Sequence, residues 1–145
     1  MGKLFTIYGI EVSILTSSDP SETYSPLAEG FDNVAEALNE VVQQYFFISE
    51  KGYATNHVTG MAPSYTLTGR RVLGDPAQEY IFGEKYNLDT SRQTTMKIEY
   101  SDEASTPVTI TCPVTFCNIQ EFSGASTDDS AISVELRMEG KPTAE

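Results

Sequence analysis

Alternation of apolar and polar side chains in the last third of the chain constrains the fold more than any other feature. Residues 131–138 place their apolar side chains at every second position: Ile132, Val134, Leu136 and Met138. This period is that of a strand with one buried face. It recurs in residues 96–100 and 108–116, where Pro113 requires an edge or a bulge. The sequence predicts a mainly β protein, a β-sandwich or barrel-like domain with one or two short helices packed outside and an extended N-terminal arm.

Residues 30–53 carry signals for a helix followed by a strand. Asn33 suits a helix N-cap and Glu36, three residues on, completes a capping box, which predicts a helix from Asn33 to about Asn39. Residues 41–48 are rich in β-branched and aromatic side chains, which predicts a strand ending in a turn at Gly52. The apolar period of residues 34–45 also fits one long helix, so that alternative stays open.

Residues 55–83 predict a hairpin and a second helix. The stretch 55–72 is dense in Thr, Val, Tyr and Leu and is interrupted by glycines and a proline, as in two strands joined by a tip. After it, Asp75 suits the N-cap and Pro76 the first helical position. Gln78 suits the reciprocal cap, and Gly83 suits a left-handed residue at the C-terminal end.

The N-terminal region predicts a strand and an arm. Residues 10–14 alternate as a half-buried strand, whereas residues 16–26 are polar and contain two prolines. Such a long stretch is either a linker that reaches a neighbouring subunit or a disordered tether. The chain is therefore divided into an N-terminal strand and arm, residues 1–30, and a single β-sandwich domain, residues 31–145.

Composition limits the partners. Nine Lys and Arg against 21 Asp and Glu give a net charge of −12, which disfavours attraction to DNA or to an anionic membrane, since both are polyanions. The chain of 145 residues is long enough for one core without a disulfide or a metal. No run of about 18 apolar residues is present, which predicts no membrane partner.

No pattern of catalytic or ligand-binding residues is found in the sequence. His57 is the only histidine, and Cys112 and Cys117 cannot complete a zinc site with it. The odd spacing of these cysteines along one strand places them on opposite faces, which argues against a disulfide. A nucleophile elbow and a glycine-rich phosphate loop are both missing. The sequence therefore predicts no catalytic residue, no cofactor and no metal, and a protein that is not an enzyme.

Several runs of this sequence resemble those of tail tube (major tail) proteins of long-tailed bacteriophages. They are 30–40 (GFDNVAEALNE), 58–61 (VTGM), 65–71 (YTLTGRR), 74–77 (GDPA) and 131–142 (AISVELRMEGKP). The resemblance implies a structural subunit of the virion tail, made in the bacterial host cytoplasm. It implies stacked, hexameric rings forming a tube through which the genome is delivered.

The resemblance also implies partners. They are further copies of the chain, through ring and ring-stacking contacts, and other tail proteins such as the tape measure, terminator and distal tail proteins. Double-stranded DNA would pass without specific binding. Two alternatives stay open: a binding or adhesin module with a β-sandwich, and a tail terminator or baseplate relative of the tube protein.

Two groups of residues are candidates for these roles. Apolar residues in segments that an isolated domain would leave exposed, together with the one basic doublet, are candidate subunit contacts: Ile10, Val12, Ile14, Leu27, Val58, Met61, Arg70 and Arg71. For the doublet, local solvation or ion pairing is the alternative to an intersubunit contact. Outward carboxylates of the period-two strands are candidates to face an acidic lumen: Glu99, Glu135 and Glu139.

Overall fold

The computed structural model describes residues 2–18 and 21–144. They form a mainly β protein with one α-helix, as predicted. The elements are β1 (Glu11–Ser17), β2 (Thr23–Pro26), β3 (Phe31–Ala37), β4 (Val41–Tyr45), β5 (Thr55–Gly60), β6 (Ser64–Arg70), α1 (Pro76–Gly83), β7 (Gln93–Ser101), β8 (Pro107–Gln120), β9 (Ala131–Met138) and β10 (Thr143–Ala144). Short 3-10 turns cover Ile7–Gly9, Ile48–Glu50 and Asp89–Arg92.

The main sheet is antiparallel and curls towards closure. Its strand order is β2-β1-β7-β8-β9-β6-β3, with β10 added beside β8. In a flat sheet of this order β2 and β3 would lie about 29 Å apart, since neighbouring strands are about 4.8 Å apart. Residues 27–30 connect the two strands, and five Cα steps span at most about 18 Å. The two edges of the sheet must therefore approach each other, which gives the barrel-like shape.

The core fills the concave face of this sheet. The described residues bury Ile14, Met96, Val114, Phe116 and Leu136 to 1% exposure or less. These side chains come from β1, β7, β8 and β9. In the middle of β7 and β8 and along β9 the buried residues alternate with less buried neighbours, which confirms the strands predicted from period two. Pro113 precedes Val114, which pairs with Met138, the last residue of β9. The N–H that proline lacks is therefore at a position where the neighbouring strand β9 has ended.

The predicted helix at residues 33–39 is wrong, because these residues belong to β3. Val34 pairs with Leu67 of β6 and packs against the core. A bulge between Phe31 and Asn33 places Asn33 in the ladder rather than at a helix cap. The local capping signal and the good helix formers around it are overridden by backbone hydrogen bonds to β6 and by burial of Val34.

The predicted hairpin over residues 55–72 is also wrong, although both of its strands exist. β5 pairs with β4, whereas β6 pairs with β3 and β9. Between them the amide of Ala62 donates to the carbonyl of Leu38 at 2.9 Å. The strands β3 and β4 therefore run beside β6 and β5 as one long hairpin, with its turn at residues 46–54. Gly52 has the positive φ, +97°, that the turn prediction required.

Helix α1 is confirmed, with two corrections at its ends. Asp75 caps it by accepting from the Gln78 amide at 3.1 Å, and Pro76 begins it. The Gln78 side chain does not cap the helix: its Nε2 donates to the Glu29 and Arg70 carbonyls. The last helical residue, Gly83, is not left-handed, and Glu84 ends the helix with φ −100°. Ala77, Ile81 and Phe82 bury the inner face of α1 in the core.

Two glycines allow β3 and β6 to approach where Gln78 joins them. A Cβ on Gly69 would lie 2.0 Å from the Gly30 carbonyl oxygen, and Gly30 itself has φ +85°. The Arg70 amide donates to that same carbonyl at 2.7 Å. Any larger side chain at position 69 would therefore force the two backbones apart.

The segment predicted as an arm is partly ordered. Residues 23–26 form β2, which pairs with β1, so the expectation of a structureless stretch over 16–26 is wrong there. The amide of Leu27 donates to the Val12 carbonyl at 2.7 Å, and Thr16 shares a hydrogen bond with Ser25. Asp19 and Pro20 of that segment lie outside the described residues. The sheet therefore includes β1 and β2 from residues 1–30.

Candidate assembly surfaces

The distal hairpin, residues 38–62, carries several large, exposed apolar side chains. It consists of β4, β5 and their connection, and the strands pair with each other in a separate two-stranded sheet. Its side chains reach exposures of 65% at Phe46, 96% at Ile48 and 78% at Tyr53. Exposed apolar patches of this kind mark interaction sites on soluble proteins.

The distal hairpin has little support of its own. The Tyr45 and Phe47 rings stack at 5.5 Å, and Gln44 donates to Asn56 across the strands at 3.1 Å. An isolated two-stranded hairpin is at best marginally stable in water. The distal hairpin is therefore a candidate surface for contact with a partner.

The N-terminal segment, residues 4–8, is a second exposed apolar surface. Leu4 and Tyr8 are each 92% exposed. Phe5 is held against Tyr100 with ring centroids 5.3 Å apart, which fixes the segment beside the end of β7.

The structure separates the apolar residues predicted as subunit contacts into two sets. Val12, Ile14 and Leu27 are at most 7% exposed and belong to the core of their own chain. The expectation that an isolated domain leaves them exposed is wrong, because β1 lies inside the sheet between β2 and β7; Ile10 packs partly against the same core. Val58 and Met61 are about half exposed on the distal hairpin, where a partner can reach them.

The two residues of the basic doublet, Arg70 and Arg71, have different environments. The Arg71 side chain is 10% exposed and forms ion pairs with Glu121 at 2.8 Å and Glu79 at 3.1 Å. These are local contacts that hold α1 to the end of β8. Arg70 is exposed and donates to the Asp129 carbonyl at 3.2 Å.

Glu121 is the centre of a partly buried ion network. It accepts from Lys85 at 2.6 Å as well as from Arg71. Burial alone would raise the pKa of Glu121, but the hydrogen bonds from Lys85 and Arg71 outweigh it and hold that pKa below the usual 4.5. For Glu79, hydrogen bonds from the Gly74 amide and from Arg71 likewise lower the pKa.

This network makes the stability of the fold dependent on acid. A carboxylate with a lowered folded-state pKa contributes stability that is fully present above its unfolded value and is lost as pH falls through the folded value. We expect the melting temperature to decrease as the pH is lowered through about 4.5. This decrease should be steeper in the native protein than in Glu121→Gln. Glu103→Gln, an exposed carboxylate in the turn after β7, is the matched control. Equal pH profiles of native protein and Glu121→Gln would contradict this role.

The three carboxylates predicted to face a lumen share the convex, polar face of the main sheet. Glu99 is exposed in β7, Glu135 is half-buried in β9, and Glu139 follows β9. Glu135 accepts from Asn118 at 2.9 Å and from Arg137 at 2.7 Å. Lys97 and Arg137 occupy the same face, which partly offsets its negative charge.

Within residues 2–18 and 21–144, no group of three or more His, Cys, Asp or Glu side chains could hold a metal ion. Cys112 is buried and Cys117 half-buried, and both are free thiols. Over the same residues, every helix is too short or too polar to span a bilayer.

Comparison with solved structures gives full-length matches at low identity. The chain is similar to a protein in the tail of an empty gene transfer agent particle refined with C6 symmetry, with TM-score 0.69, 12% identity, and coverage of 97% of this chain and 98% of the other. It is also similar to the SPP1 tail tube protein, with TM-score 0.72, 14% identity, and coverage of 97% and 78%. This chain has the tail tube fold. These neighbours are structural proteins and not enzymes.

A third neighbour is a sheath or tube terminator of an extracellular contractile injection system, with TM-score 0.61, 12% identity, and coverage of 99% and 97%. No protein-family model matches the chain, and no curated protein matches it in sequence. The family resemblance predicted from sequence is thus confirmed at the level of the fold.

Sequence reasoning did not name the large apolar residues 45–48 of the distal hairpin as candidate contacts. The signal was present: in Tyr45, Phe46, Phe47 and Ile48, four large apolar residues follow one another, which is too many for a strand with one buried face. That run was predicted only as a strand, and the candidate contacts named from this hairpin were Val58 and Met61.

Proposed function

We propose that this protein is the tube-forming subunit of a phage tail. The observation that carries the proposal is the distal hairpin, an apolar projection without support from its own domain, on a domain with the tail tube fold. If a different surface of the next copy covers the distal hairpin, the contact between the two copies is heterologous. Contacts of that kind generate rings or helical polymers rather than closed dimers.

Six subunits per ring is the proposed rotational order. Its support is the C6 symmetry of the gene transfer agent tail with which this fold is shared. The ring would remove the exposed sheet edges, because β2 and β3 end the strand path of each subunit and an unpaired edge is a liability in an isolated protein. Stacked rings would then form a hollow tube in the virion tail.

The partners of such a tube follow from its two ends and its channel. The tape measure, terminator and distal tail proteins would bind it, and double-stranded DNA would pass through without specific contacts. The subunit would be synthesised in the host cytoplasm and become part of the virion on assembly.

An acidic lumen is part of the proposal. A basic lining would hold DNA by counterion release at every ring, whereas an acidic one repels it over a distance of about 8 Å at physiological salt. The net charge of −12 and the position of Glu99, Glu135 and Glu139 on one polar face support a lining by that face. The alternative is that the charge serves solubility alone.

Reversal of charge on the polar face distinguishes these two roles. Glu99→Lys changes an exposed side chain in β7, so we expect intact tubes that eject the genome more slowly, with relief at high salt. Glu22→Lys, exposed and just before β2, is the matched control and should eject normally. Ejection of Glu99→Lys particles at the normal rate in low salt would assign the acidity to solubility.

Sedimentation of the purified protein tests the proposed function. A tube subunit of 15.9 kDa should polymerise above a critical concentration into particles of indefinite length. The likeness to a tube terminator supports a second candidate, a capping ring, which would stop at a single ring of fixed size. A monomer at all concentrations would contradict both and favour an adhesin-like binding module.

A further inference from the structure

A groove in the wall of the domain, the β1/β3 groove, matches the distal hairpin in chemistry. It has a volume of about 600 Å³ and is lined from both sheet edges, with apolar residues at its floor: Ile10, Val12, Leu27, Phe31, Val34 and Leu67. A second depression of about 360 Å³ continues it past Ile98 and Tyr65. Together they have room for several large side chains.

The charged residues of the groove all have the same sign. Asp32 lines the larger part, and Glu36 lines the smaller part, where it accepts a hydrogen bond from Tyr65. Glu11 borders the larger part, but it pairs with Glu99 across β1 and β7, so its side chain lies on the convex face. No lysine or arginine lines either part. The groove therefore suits a segment that brings both apolar side chains and a cation.

Most cations of this chain have partners within it. Arg71, Lys85 and Arg137 are in ion pairs. Arg92 donates to backbone carbonyls, Lys97 lies 4.0 Å from the Tyr24 ring, and Arg70 bonds the Asp129 carbonyl. Among the residues that the structure describes, this leaves Lys3, Lys51 and Lys141.

Lys51 is the cation that lies among exposed apolar side chains at the end of a projection. It occupies the turn of the distal hairpin with φ +50°, between Ile48 and Tyr53. Lys3, by contrast, lines a depression together with Asp102 and Glu103 of its own chain, and Lys141 lies between a glycine and a proline.

We infer that the tip of the distal hairpin of one copy docks in the β1/β3 groove of the next copy, with Ile48 and Tyr53 on the apolar floor and Lys51 beside Asp32. The contact is heterologous, so it is repeated at every subunit addition. This inference rests on the proposed function, and it names the surface that receives the hairpin.

Charge exchange between the two sides tests this contact in the full-length chain. The variants are Lys51→Glu, Asp32→Lys and the double variant that combines them. Since both residues are exposed, the variants should melt like the native protein. We expect each single variant to raise the critical concentration for assembly about tenfold or more at low salt, because attraction becomes repulsion at each contact. The double variant should restore assembly.

Lys141→Glu gives the same charge change at another exposed lysine and should assemble normally. Normal assembly of Lys51→Glu, or no rescue in the double variant, would overturn the groove contact. A defect in Lys3→Glu as large as that of Lys51→Glu would also overturn it, by assigning the groove to the N-terminal segment. Native protein that never polymerises would instead contradict the proposed function.

Discussion

Replacing residues 40–61 with a single glycine should abolish polymerisation and leave the main sheet folded. The new chain would run Leu38, Asn39, Gly, Ala62, which is a two-residue hairpin turn. The hydrogen bond from the Ala62 amide to the Leu38 carbonyl already closes such a turn. Asn39 already has φ +50°, as the first position of a type I′ turn requires. The deleted strands pair with each other and not with the main sheet, so little stability should be lost.

Sedimentation velocity and thermal melting check this result together. The shortened protein should remain monomeric at concentrations at which the native protein assembles, with a melting temperature within a few degrees of the native value. A milder variant, Ile48→Ser with Phe46→Ser, keeps the hairpin and should weaken assembly in the same direction. Tubes of normal length from the shortened protein would show that the hairpin is not an assembly element.

Leu136→Ala should destabilise the domain by about 2 to 5 kcal/mol. Leu136 is fully buried in β9, between Phe116 of β8 and Tyr65 of β6, so the removed atoms leave a cavity in the middle of the sheet. Arg137→Ala is the matched control, since that side chain is 58% exposed and pairs with Glu135 at the surface. It should cost less than about 1 kcal/mol.

Urea unfolding of the monomeric, hairpin-shortened background measures both values without interference from assembly. A loss below about 0.5 kcal/mol for Leu136→Ala is the range of surface substitutions, and would mean that β9 presents the opposite face to the core.

The sequence predicts the core strands well because their signal is local. In β9, and in the middle of β7 and β8, every second side chain is buried and its neighbours are not, and period two requires no knowledge of the partner strands. Helix α1 was predictable for the same reason, since its Asp75 cap lies within three residues of the amide that it serves.

The edge strand β3 could not be predicted from its residues. Its seven positions include two alanines and a glutamate, which favour a helix, and its burial is confined to Val34 and Phe31. What makes it a strand is its ladder with β6, more than 25 residues away in sequence. The pairing of β5 with β4 rather than β6 likewise depends on the long hairpin as a whole.

The structure divides the apolar residues predicted as subunit contacts. Val58 and Met61 lie on the distal hairpin, but Val12, Ile14 and Leu27 are core residues, because an apolar strand without local partners can pair with a distant one. The β1/β3 groove is formed by residues from both ends of the strand path, and only the curl of the sheet brings them together. No local sequence pattern indicates that these residues lie close together.

Cryo-electron microscopy of polymers grown from the purified native protein tests the proposed tube. We expect hollow tubes of stacked rings, with six subunits in each ring and residues 38–62 of every subunit buried against a neighbouring copy. Monomers at every concentration, or tubes in which the distal hairpin faces solvent, would contradict it.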